Sequence, residues 1–410
     1  MNCRHCGKEL THTFIDLGSA PPSNSYLTES DIRAPEKCYP LKVLVCSHCW
    51  LVQTEDFVGT DEMFNDGYAY FSSYSSSWLD HAKTYVNKMI TRFQLNCQSN
   101  IVEIAANDGY LLQFVKEKNI PCYGIEPTHS TAMVAKEKGI EIIEEFFGDQ
   151  KAKELVEQEG RKADLTIANN VLAHVPDIND FLKGFVTLLK TEGVATFEFP
   201  HLLNMVRFNQ FDTIYHEHYS YLSLTSVQNI FEANGLTVFD VEEIPTHGGS
   251  LRIYAQRNDT GKKPISNAVT ALKTQEQKAG IRTLEYYQGF QNKADKIKTD
   301  LIKFLLQAKK EGKKVAAYGA AAKGNTLMNF SGISKDLLSY IVDKNPAKQG
   351  KYMPGNHIPI LSPEELSKNR PDYLFILPWN IAEEVCNQNI ELVKLGTQFV
   401  VTMPELRVIC

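Results

Sequence analysis

Two Cys-x-x-Cys pairs constrain the fold of this chain more than any other feature: Cys3 with Cys6, and Cys46 with Cys49. Each pair can present two thiolates from one tight turn, and four thiolates satisfy the tetrahedral coordination of Zn²⁺. Gly7 suits such a turn after the first pair, and a strand-like run leads into the second. Four protein ligands leave no open position for water. The pattern therefore predicts a structural, non-catalytic zinc site in the N-terminal region.

Two alternatives to that site remain open: a rival ligand from Cys38, His5 or His48, or four reduced thiols without a metal. We expect a cytoplasmic protein, because no apolar run of about 18 residues could span a membrane. The N-terminus also lacks the basic and apolar regions of a signal peptide. Cysteines in that reducing compartment serve as thiols or metal ligands. The net charge of −6 argues against a nucleic-acid partner.

Three regions of the chain differ in sequence pattern, and we expect each to be a domain. Residues 1–65 are rich in Cys, Pro and Ser and form the predicted zinc-binding domain. Residues 66–260 alternate strand-like and helical stretches, which is typical of an α/β fold with a doubly wound parallel sheet. Residues 261–410 begin with a long polar stretch, interpreted as one connecting helix, and then restart the alternation. We interpret this last region as a smaller, Rossmann-like α/β domain.

A cofactor site is predicted where the strand-like run 101–105 ends in a turn of small residues. Small residues let the backbone approach a ligand, and Glu126 stands where a doubly wound sheet places an acid for a ribose diol. The turn has one glycine, unlike the Gly-x-Gly-x-x-Gly of dinucleotide-binding folds. S-adenosyl-L-methionine, which has no phosphate to hold there, fits better. The predicted cofactor-binding residues are Glu103, Ala105, Asn107, Gly109, Tyr110, Glu126, Pro127 and Asn169.

Polar side chains in the segment 168–177 (ANNVLAHVPD) follow another strand-like run. They are expected at the carboxyl end of a strand, beside the cofactor crevice. Asn170 and His174 are polar groups in an otherwise apolar run, which favours a role on the substrate side. The alternative for His174 is a histidine at a helix start that forms only local hydrogen bonds.

The segment 211–219 (FDTIYHEHY) is the densest polar and aromatic cluster in the chain. A metal site is disfavoured, because ligands two residues apart project in opposite directions from a strand and about 200° apart on a helix. General acid–base chemistry needs a histidine near neutral pKa and a phenol or carboxylate that can stabilise an enolate. Tyr215, Glu217 and His218 meet that need. A purely structural cluster is the alternative.

Three further segments have two interpretations each. The aromatic run 68–75 could cover an active site or anchor a linker in the core, and the turn 246–250 (THGGS) could approach a ligand or form a hairpin bend. The run 318–326 (YGAAAKGNT) follows a strand and opens a helix, whose N-terminus can hold a diphosphate. Lys323, Asn325 and Lys351 are its predicted substrate contacts, with Lys344 and Lys348 as further candidates. Trp379 could stack on a base or pack in the core.

Together these segments resemble one family over nearly the whole chain. The cysteine quartet, VEIAANDGYLL, YGIEP, NNVLAHVPD, YHEHYSYLS, THGGSLRIY and YGAAAKGNTLMN occur in one order. The set resembles the deoxysugar C-methyltransferases that make branched sugars. The resemblance implies an N-terminal zinc domain, a methyltransferase domain and a C-terminal domain that binds the nucleotide of the sugar. One departure is Ala105-Ala106, where the family more often has Gly-Ser.

The resemblance also implies the reaction: S-adenosylmethionine-dependent C-methylation of a nucleotide-linked 4-keto-6-deoxy sugar, with dTDP or GDP as the nucleotide. His218 would be the general base. The sugar would be surrounded by Tyr215, Glu217, His174, Asn170 and either Tyr70 or Tyr68. We expect methylation at C3, with C5 as the alternative, by a monomeric enzyme. The rival functions are a zinc-ribbon methyltransferase of RNA or protein and a non-catalytic nucleotide-sugar-binding protein.

Overall fold

A computed structural model of the chain describes residues 1–57, 59 and 71–409. The predictions for Tyr68 and Tyr70 lie outside the described residues. The strands are β1 (His12–Ala20), β2 (Tyr39–Val45), β3 (Val52–Thr54), β4 (Ile101–Ile104), β5 (Cys122–Ile125), β6 (Ile142–Ile143), β7 (Ala163–Asn169), β8 (Leu189–Pro200), β9 (Ser220–Tyr221), β10 (Leu236–Ile244), β11 (Ser250–Arg257), β12 (Val315–Tyr318), β13 (Ile341–Val342), β14 (Ile360–Leu361), β15 (Tyr373–Ile376), β16 (Gln398–Val401) and β17 (Arg407–Val408).

The helices connect these strands in the alternation that the sequence predicts. They are α1 (Ser76–Phe93), α2 (Leu112–Lys116), α3 (His129–Glu137), α4 (Asp149–Glu159), α5 (Ile178–Leu188), α6 (Leu202–Arg207), α7 (Leu224–Ala233), α8 (Asn267–Ala279), α9 (Phe290–Lys310), α10 (Ala322–Ser331), α11 (Glu365–Lys368), α12 (Ala382–Gln388) and α13 (Ile390–Lys394). None of them, within the described part of the chain, has the length and apolar character that a bilayer span requires.

The first sheet is antiparallel, with strand order β1-β2-β3-β9. Along β2, Leu41, Val43 and Val45 point to one face and are buried, and Leu44 on the other face is buried in the core of the central sheet. The fourth strand, β9, comes from the middle of the chain and pairs with β3 at Val52 and Gln53. The N-terminal sheet is therefore completed by a segment some 165 residues downstream of its other strands.

The central sheet has seven strands in the order β10-β11-β8-β7-β4-β5-β6. The strands β4 to β8 pair in parallel, and β11 runs antiparallel to both of its neighbours. The strand order reverses at β4, which lies between β5 and β7. In a doubly wound sheet the ligand crevice lies outside the carboxyl ends of the strands at such a switch point.

The C-terminal sheet has six strands in the order β14-β13-β12-β15-β16-β17, all parallel except β17. Its switch point lies between β12 and β15. The loops after these two strands therefore form a second crevice of the same kind. They contain the Lys323 and Trp379 segments.

The prediction of a single connecting helix is wrong. The stretch forms two helices, α8 and α9, separated by residues 280–289, and Gly280 and Gly289 at the break have φ of +90° and +81°. The side chains of α8 pack into the core of the central sheet, whereas those of α9 pack with the N-terminal and C-terminal sheets. A straight helix could not serve both cores, so the chain turns at two glycines that adopt positive φ readily.

Candidate active site

The four predicted zinc ligands lie together. The Sγ atoms of Cys3, Cys6, Cys46 and Cys49 are all within 4.8 Å of one another, with Cys3 and Cys49 3.5 Å apart and Cys6 and Cys46 3.6 Å apart. Thiolates about 2.3 Å from a tetrahedral zinc ion have this kind of separation. The donor set and its spacing therefore fit a structural Zn²⁺.

Each Cys-x-x-Cys pair forms a closed turn. The amide of Gly7 (φ +70°) donates to Cys3 O at 2.9 Å, and the amide of Trp50 (φ +64°) donates to Cys46 O at 2.9 Å. The rival ligands lie elsewhere: Cys38 and His48 are exposed. His5 Nδ1 instead lies 2.8 Å from Asn179 Oδ1 on α5. This last contact docks the zinc region against the central sheet's helices.

The predicted cofactor residues gather at the switch point of the central sheet. Glu126 follows β5 and accepts hydrogen bonds from the amides of Asn107 (2.9 Å) and Thr128 (2.9 Å), which fix its carboxylate beside the turn after β4. Pro127 lies between Glu126 and Thr128 in the loop after β5. Burial raises the pKa of Glu126, and the two amide donors oppose that rise. The carboxylate is thus held where it can accept from a ribose diol.

The turn after β4 has the backbone shape of a ligand cradle. Ala105 and Asn107 have φ of +57° and +49°, and Gly109 has φ of +73°. A Cβ on Gly109 would lie 2.5 Å from Ile140 Cδ1, so only glycine fits there. Across the crevice, Asn169 Oδ1 is buried without a hydrogen-bond partner. A buried acceptor of this kind needs a donor, and a bound cofactor can supply one. These residues fit S-adenosylmethionine.

Glu103, on β4, is fully buried beneath the turn. Burial raises its pKa well above the usual range, and the hydroxyl of Tyr110 opposes that rise. The turn is also contacted from the segment that follows the undescribed residues, since the Ser72 amide donates to Asn107 Oδ1 at 2.9 Å.

The cluster at 214–219 forms a loop anchored by all three sheets. Its Tyr219 amide donates to Ala173 O (2.8 Å), after β7 of the central sheet, and Tyr219 O accepts from the Thr54 amide (3.1 Å) of the N-terminal sheet. Thr54 Oγ1 donates to His218 O at 3.1 Å. At the start of the loop, Ile214 O accepts a hydrogen bond from Thr326 Oγ1 on α10 at 2.8 Å. This loop is the point where the three sheets meet.

His218 is buried in this loop, and its Nδ1 lies 2.8 Å from Thr213 O. A carbonyl oxygen only accepts, so Nδ1 carries the proton and Nε2 has the lone pair. Burial lowers the pKa of His218 well below its usual value, and the nearby His174 lowers it further. The imidazole is therefore neutral at neutral pH and can accept a proton, but its pKa lies below the near-neutral value that the sequence analysis expects of a general base.

Two rings lie against His218. The Tyr215 ring centroid is 3.9 Å away, and that of His174 is 4.6 Å away at 72°. Burial lowers the pKa of His174 to about 4, opposed by a hydrogen bond with the Glu217 backbone. Asn170 follows β7 with φ of +56°, and both polar atoms of its side chain are buried without a partner. The structure thus brings Tyr215, His174 and His218 together. The side-chain amide of Asn170 can form hydrogen bonds with a ligand.

The Glu217 side chain contacts the N-terminal region of the chain. Its two carboxylate oxygens accept from Asn24 Nδ2, at 2.9 and 2.7 Å. Burial raises the pKa of Glu217 to about 7, and the Asn24 hydrogen bonds oppose that rise. His216 has a different role, since its Nε2 lies 3.2 Å from both Tyr39 O and Pro40 O and anchors the loop to β2.

The C-terminal crevice faces the same loop. Lys323 Nζ lies 4.5 Å from the Trp379 ring centroid and donates to Asn380 Oδ1 at 3.1 Å. Trp379 Nε1 donates to Asp212 Oδ2 at 2.6 Å, so this tryptophan ties the C-terminal sheet to the segment before the loop. Burial raises the pKa of Asp212 to about 6, opposed by Lys323. Asn325 is fully buried, and its Nδ2 has no partner.

Among the other candidate lysines, Lys348 reaches this crevice most clearly. Its Nζ donates to Ala320 O at 2.8 Å, in the loop after β12. Lys344 Nζ instead donates to Gln388 Oε1 at 2.6 Å. Lys351 is half-buried in the loop before β14. The predicted phosphate contact of Lys351 stays a prediction.

The glycine turn at 246–250 packs against both α/β sheets. A Cβ on Gly248 would lie 2.4 Å from the Trp379 ring, and one on Gly249 would lie 2.3 Å from Asn204 Nδ2. The glycines therefore permit a close approach to these protein side chains. His247, between Thr246 and Gly248, contacts the Trp78 ring at 5.2 Å.

The sequence analysis missed Asn24 and Asp212. Asn24 lies in a Pro- and Ser-rich stretch with no periodicity, and no signal in that stretch points to the Glu217 contact. Asp212 lies inside the cluster that the analysis singled out, and an acid three residues before Tyr215 could have been included.

Comparison with known proteins adds family evidence to this geometry. Family models match in order: a zinc binding domain at residues 3–64, a methyltransferase domain at 77–241 and a C-methyltransferase C-terminal domain at 245–404. The C-methyltransferase NovU of Streptomyces niveus is 33% identical over 407 residues, covering 99% of this chain and 96% of that protein.

Matches among solved structures are partial. Magnesium protoporphyrin IX methyltransferase from Synechocystis PCC 6803, with bound S-adenosylmethionine, has a TM-score of 0.34 and 14% identity, covering 44% of this chain and 79% of that one. The PH0226 protein of Pyrococcus horikoshii OT3 has a TM-score of 0.38 and 13% identity, covering 46% of this chain and 95% of that one.

The crevice at β4 and the matched domains define an S-adenosylmethionine-dependent methyltransferase with a structural zinc ion. The chain belongs to the C-methyltransferase family that includes NovU, since one-third identity extends over its full length. The resemblance predicted from the sequence motifs is thereby confirmed, as are the α/β fold class and both cofactors.

Proposed function

We propose that this enzyme methylates C3 of a nucleotide-linked 4-keto-6-deoxy sugar, with His218 as the general base. The observation that carries the proposal is the geometry of His218. Its Nδ1–H donates to Thr213 O, which directs the Nε2 lone pair to the opposite side of the ring. A neutral, buried imidazole with a fixed tautomer is suited to remove one proton from carbon.

The chemistry follows from the acidity of a carbon next to a ketone. The base takes the C3 proton, and the electron pair of that C–H bond moves toward the C4 carbonyl to form an enolate. Donors near the enolate oxygen lower the barrier by stabilising its charge. Tyr215 and His174, whose rings lie against His218, are the proposed donors. S-adenosylmethionine supplies the methyl group as a sulfonium electrophile.

The nucleotide would lie against the C-terminal crevice. Lys323 and the N-terminus of α10 offer positive charge and backbone amides to a diphosphate. The buried Nδ2 of Asn325 is a donor without a partner. We propose Lys351 as a further phosphate contact and Asn170 as a sugar contact. Glu217 would complete the sugar site from the N-terminal side, with Tyr68 or Tyr70.

We further propose the domain division 1–65, 66–260 and 261–410, and action as a cytoplasmic monomer without a nucleic-acid partner. Support for the monomer comes from the loop 214–219, because one chain supplies its contacts from all three sheets. Support for the division comes from the three sheets, because β9 alone among the strands in the described residues pairs across a proposed boundary.

The test is incubation of the purified enzyme with S-adenosylmethionine and a panel of dTDP- and GDP-linked 4-keto-6-deoxy sugars. We expect a mass gain of one methyl group on one of them, with solvent deuterium exchange at the carbon that is methylated. Fragmentation of the product distinguishes C3 from C5. No gain on any sugar, with the cofactor still bound, would refute the proposed acceptor.

His218→Asn tests the base. We expect methyl transfer to fall about 10²- to 10⁴-fold, the usual contribution of a general base. Binding of S-adenosylmethionine should be unchanged, as measured by calorimetry. Turnover close to that of the wild type would rule out His218 as the base.

A further inference from the structure

The Glu217 carboxylate accepts hydrogen bonds from a residue outside the methyltransferase region. Asn24, 193 residues earlier in the chain, places its Nδ2 2.9 Å from one carboxylate oxygen and 2.7 Å from the other. An ionised carboxylate only accepts hydrogen bonds, so the amide nitrogen, not its oxygen, must face Glu217. The orientation of the Asn24 amide is therefore fixed, because its nitrogen lies within hydrogen-bond distance of both carboxylate oxygens.

The other side of the Asn24 amide leads to the C-terminal sheet. Tyr26 Oη donates its one hydrogen to Ala320 O at 2.6 Å, and Asn24 Oδ1 lies 3.2 Å from Tyr26 Oη as a second, weaker acceptor. Lys348 Nζ donates to the same Ala320 carbonyl at 2.8 Å and lies 5.1 Å from the Tyr26 ring centroid. Ala320 belongs to the loop that opens α10. A chain of polar contacts thus runs from Glu217 to the proposed diphosphate site.

We propose that Asn24 is a positioning residue for methyl transfer: it fixes the Glu217 carboxylate in the sugar site and links that carboxylate, through Tyr26, to the loop at Ala320. The inference rests on the proposed function of the same site. It assigns a role in the reaction to the N-terminal zinc-binding region, whose metal is structural. Asn24 itself touches no reacting atom in this role.

The charge environment of Glu217 supports a measurable signature. Burial is the main cause that raises its pKa to about 7, while Asn24 and the charge of Lys348 lower it. Three further titratable neighbours are neutral near pH 7: burial raises the pKa values of the Tyr26 and Tyr219 phenols, and it lowers to about 4 the pKa of His174, which forms a hydrogen bond with the Glu217 backbone. Loss of the Asn24 donor must therefore move the pKa of Glu217 upward.

The experiment is a double-mutant cycle with full-length enzyme: wild type, Asn24→Ala, Glu217→Gln and the double variant. The readouts are kcat and KM for the sugar, the pH–rate profile, and affinity for S-adenosylmethionine. We expect Asn24→Ala to lower kcat roughly 10- to 100-fold, the cost of a misplaced group in the site. The limb of the pH–rate profile that depends on the ionisation of Glu217 should move to higher pH. In the Glu217→Gln background, adding Asn24→Ala should cause no further loss of kcat.

Two further variants separate positioning from folding. Ser25→Ala changes the exposed neighbouring residue and should leave kcat and the pH profile unchanged. Asn24→Asp keeps the side-chain volume but sets a second carboxylate against Glu217. We expect it to be at least as slow as Asn24→Ala and to move the same limb further upward.

Either of two outcomes would overturn the inference while the proposed function stands: unchanged kcat in an active enzyme, or additive losses in the cycle with no movement of the pH limb. Additive losses would mean that Asn24 acts on stability alone. An inactive wild type on every sugar, by contrast, would refute the proposed function itself. Thermal unfolding of each variant shows whether a loss comes from misfolding.

Discussion

The central and C-terminal sheets have the same doubly wound topology but opposite charge at their switch points. Beside β4 the central sheet has the buried acid Glu126, held by two backbone amides. Beside β12 the C-terminal sheet offers Lys323, together with Lys348, whose Nζ lies 3.9 Å from Asp343 Oδ2. Both crevices open toward the loop 214–219. Since the topology is shared, we propose that charge distinguishes the ligands of the two crevices: a cationic cofactor with a ribose in one, and the anionic nucleotide of the proposed substrate in the other.

The two sheets also hold their charged groups differently. Glu126 is fixed by two backbone amides, so its position is set by the fold. Lys323 contacts the neutral Asn380 side chain and the Trp379 ring, and it forms no ion pair with any residue in the described ranges. A carboxylate held by amides is preorganised, whereas a lysine without an ion-pair partner is available to an incoming anion.

Among the variants that compare the two crevices, Glu126→Gln should have the largest effect on ligand affinity. The glutamine keeps one acceptor oxygen but sets an NH₂ group against the Asn107 or Thr128 amide. Loss of hydrogen bonds to a charged group costs about 1.5–3 kcal/mol, so we expect S-adenosylmethionine affinity to fall roughly 10- to 150-fold. Affinity for the nucleotide sugar should not change. Calorimetric titration with each ligand measures both effects.

The control is Glu137→Gln, an exposed acid on α3, which should change neither affinity. If Glu126→Gln weakened both ligands equally, the two crevices would not be independent. The comparison between an acidic and a basic switch point would then fail.

The contrast also shows what the sequence could predict. A switch point is built from strand ends, and a strand followed by small residues is visible locally, so the pattern alone predicted the position of Ala105, Gly109 and Glu126 at strand ends. The loop 214–219 was found as a polar cluster. Its anchors were not, because Asn24, Thr54 and Thr326 come from three distant segments, and periodicity does not report contacts across 100 or more residues. The break between α8 and α9 was missed because Gly280 and Gly289 read as tolerated residues within a polar helix.

Lys323→Met should weaken binding of the nucleotide sugar and leave S-adenosylmethionine binding unchanged. The effect should be smaller than that of Glu126→Gln. The side chain is partly exposed, so its contact with a diphosphate is screened and is worth about 1 kcal/mol. We expect roughly 5-fold weaker binding of the nucleotide sugar, a weaker salt dependence of that binding, and unchanged S-adenosylmethionine affinity. Lys310→Met, an exposed lysine at the end of α9, is the matched control. Equal losses in the two variants would mean that only net charge matters.

The smallest effect is expected at the first residue after the switch-point strand, where the two sheets can be compared directly. This residue has positive φ in both: Ala105 after β4, at +57°, and Gly319 after β12, at +86°. A Cβ on Gly319 would lie 2.6 Å from Pro378, so glycine is required there. The central sheet accommodates an alanine at a conformation that costs a residue with a Cβ about 1–2 kcal/mol.

Ala105→Gly should relieve that cost, but glycine also gains about 0.5–1 kcal/mol of entropy in the unfolded chain. We therefore expect a net stabilisation of about 0.5 kcal/mol. The neighbouring Ala106 is fully buried, and a Cβ on Gly124 would meet its methyl group at 2.5 Å. Ala106→Gly should lose about 1 kcal/mol, since it removes a buried methyl group. Urea unfolding midpoints that move in the same direction for both variants would show that Ala105 is not strained.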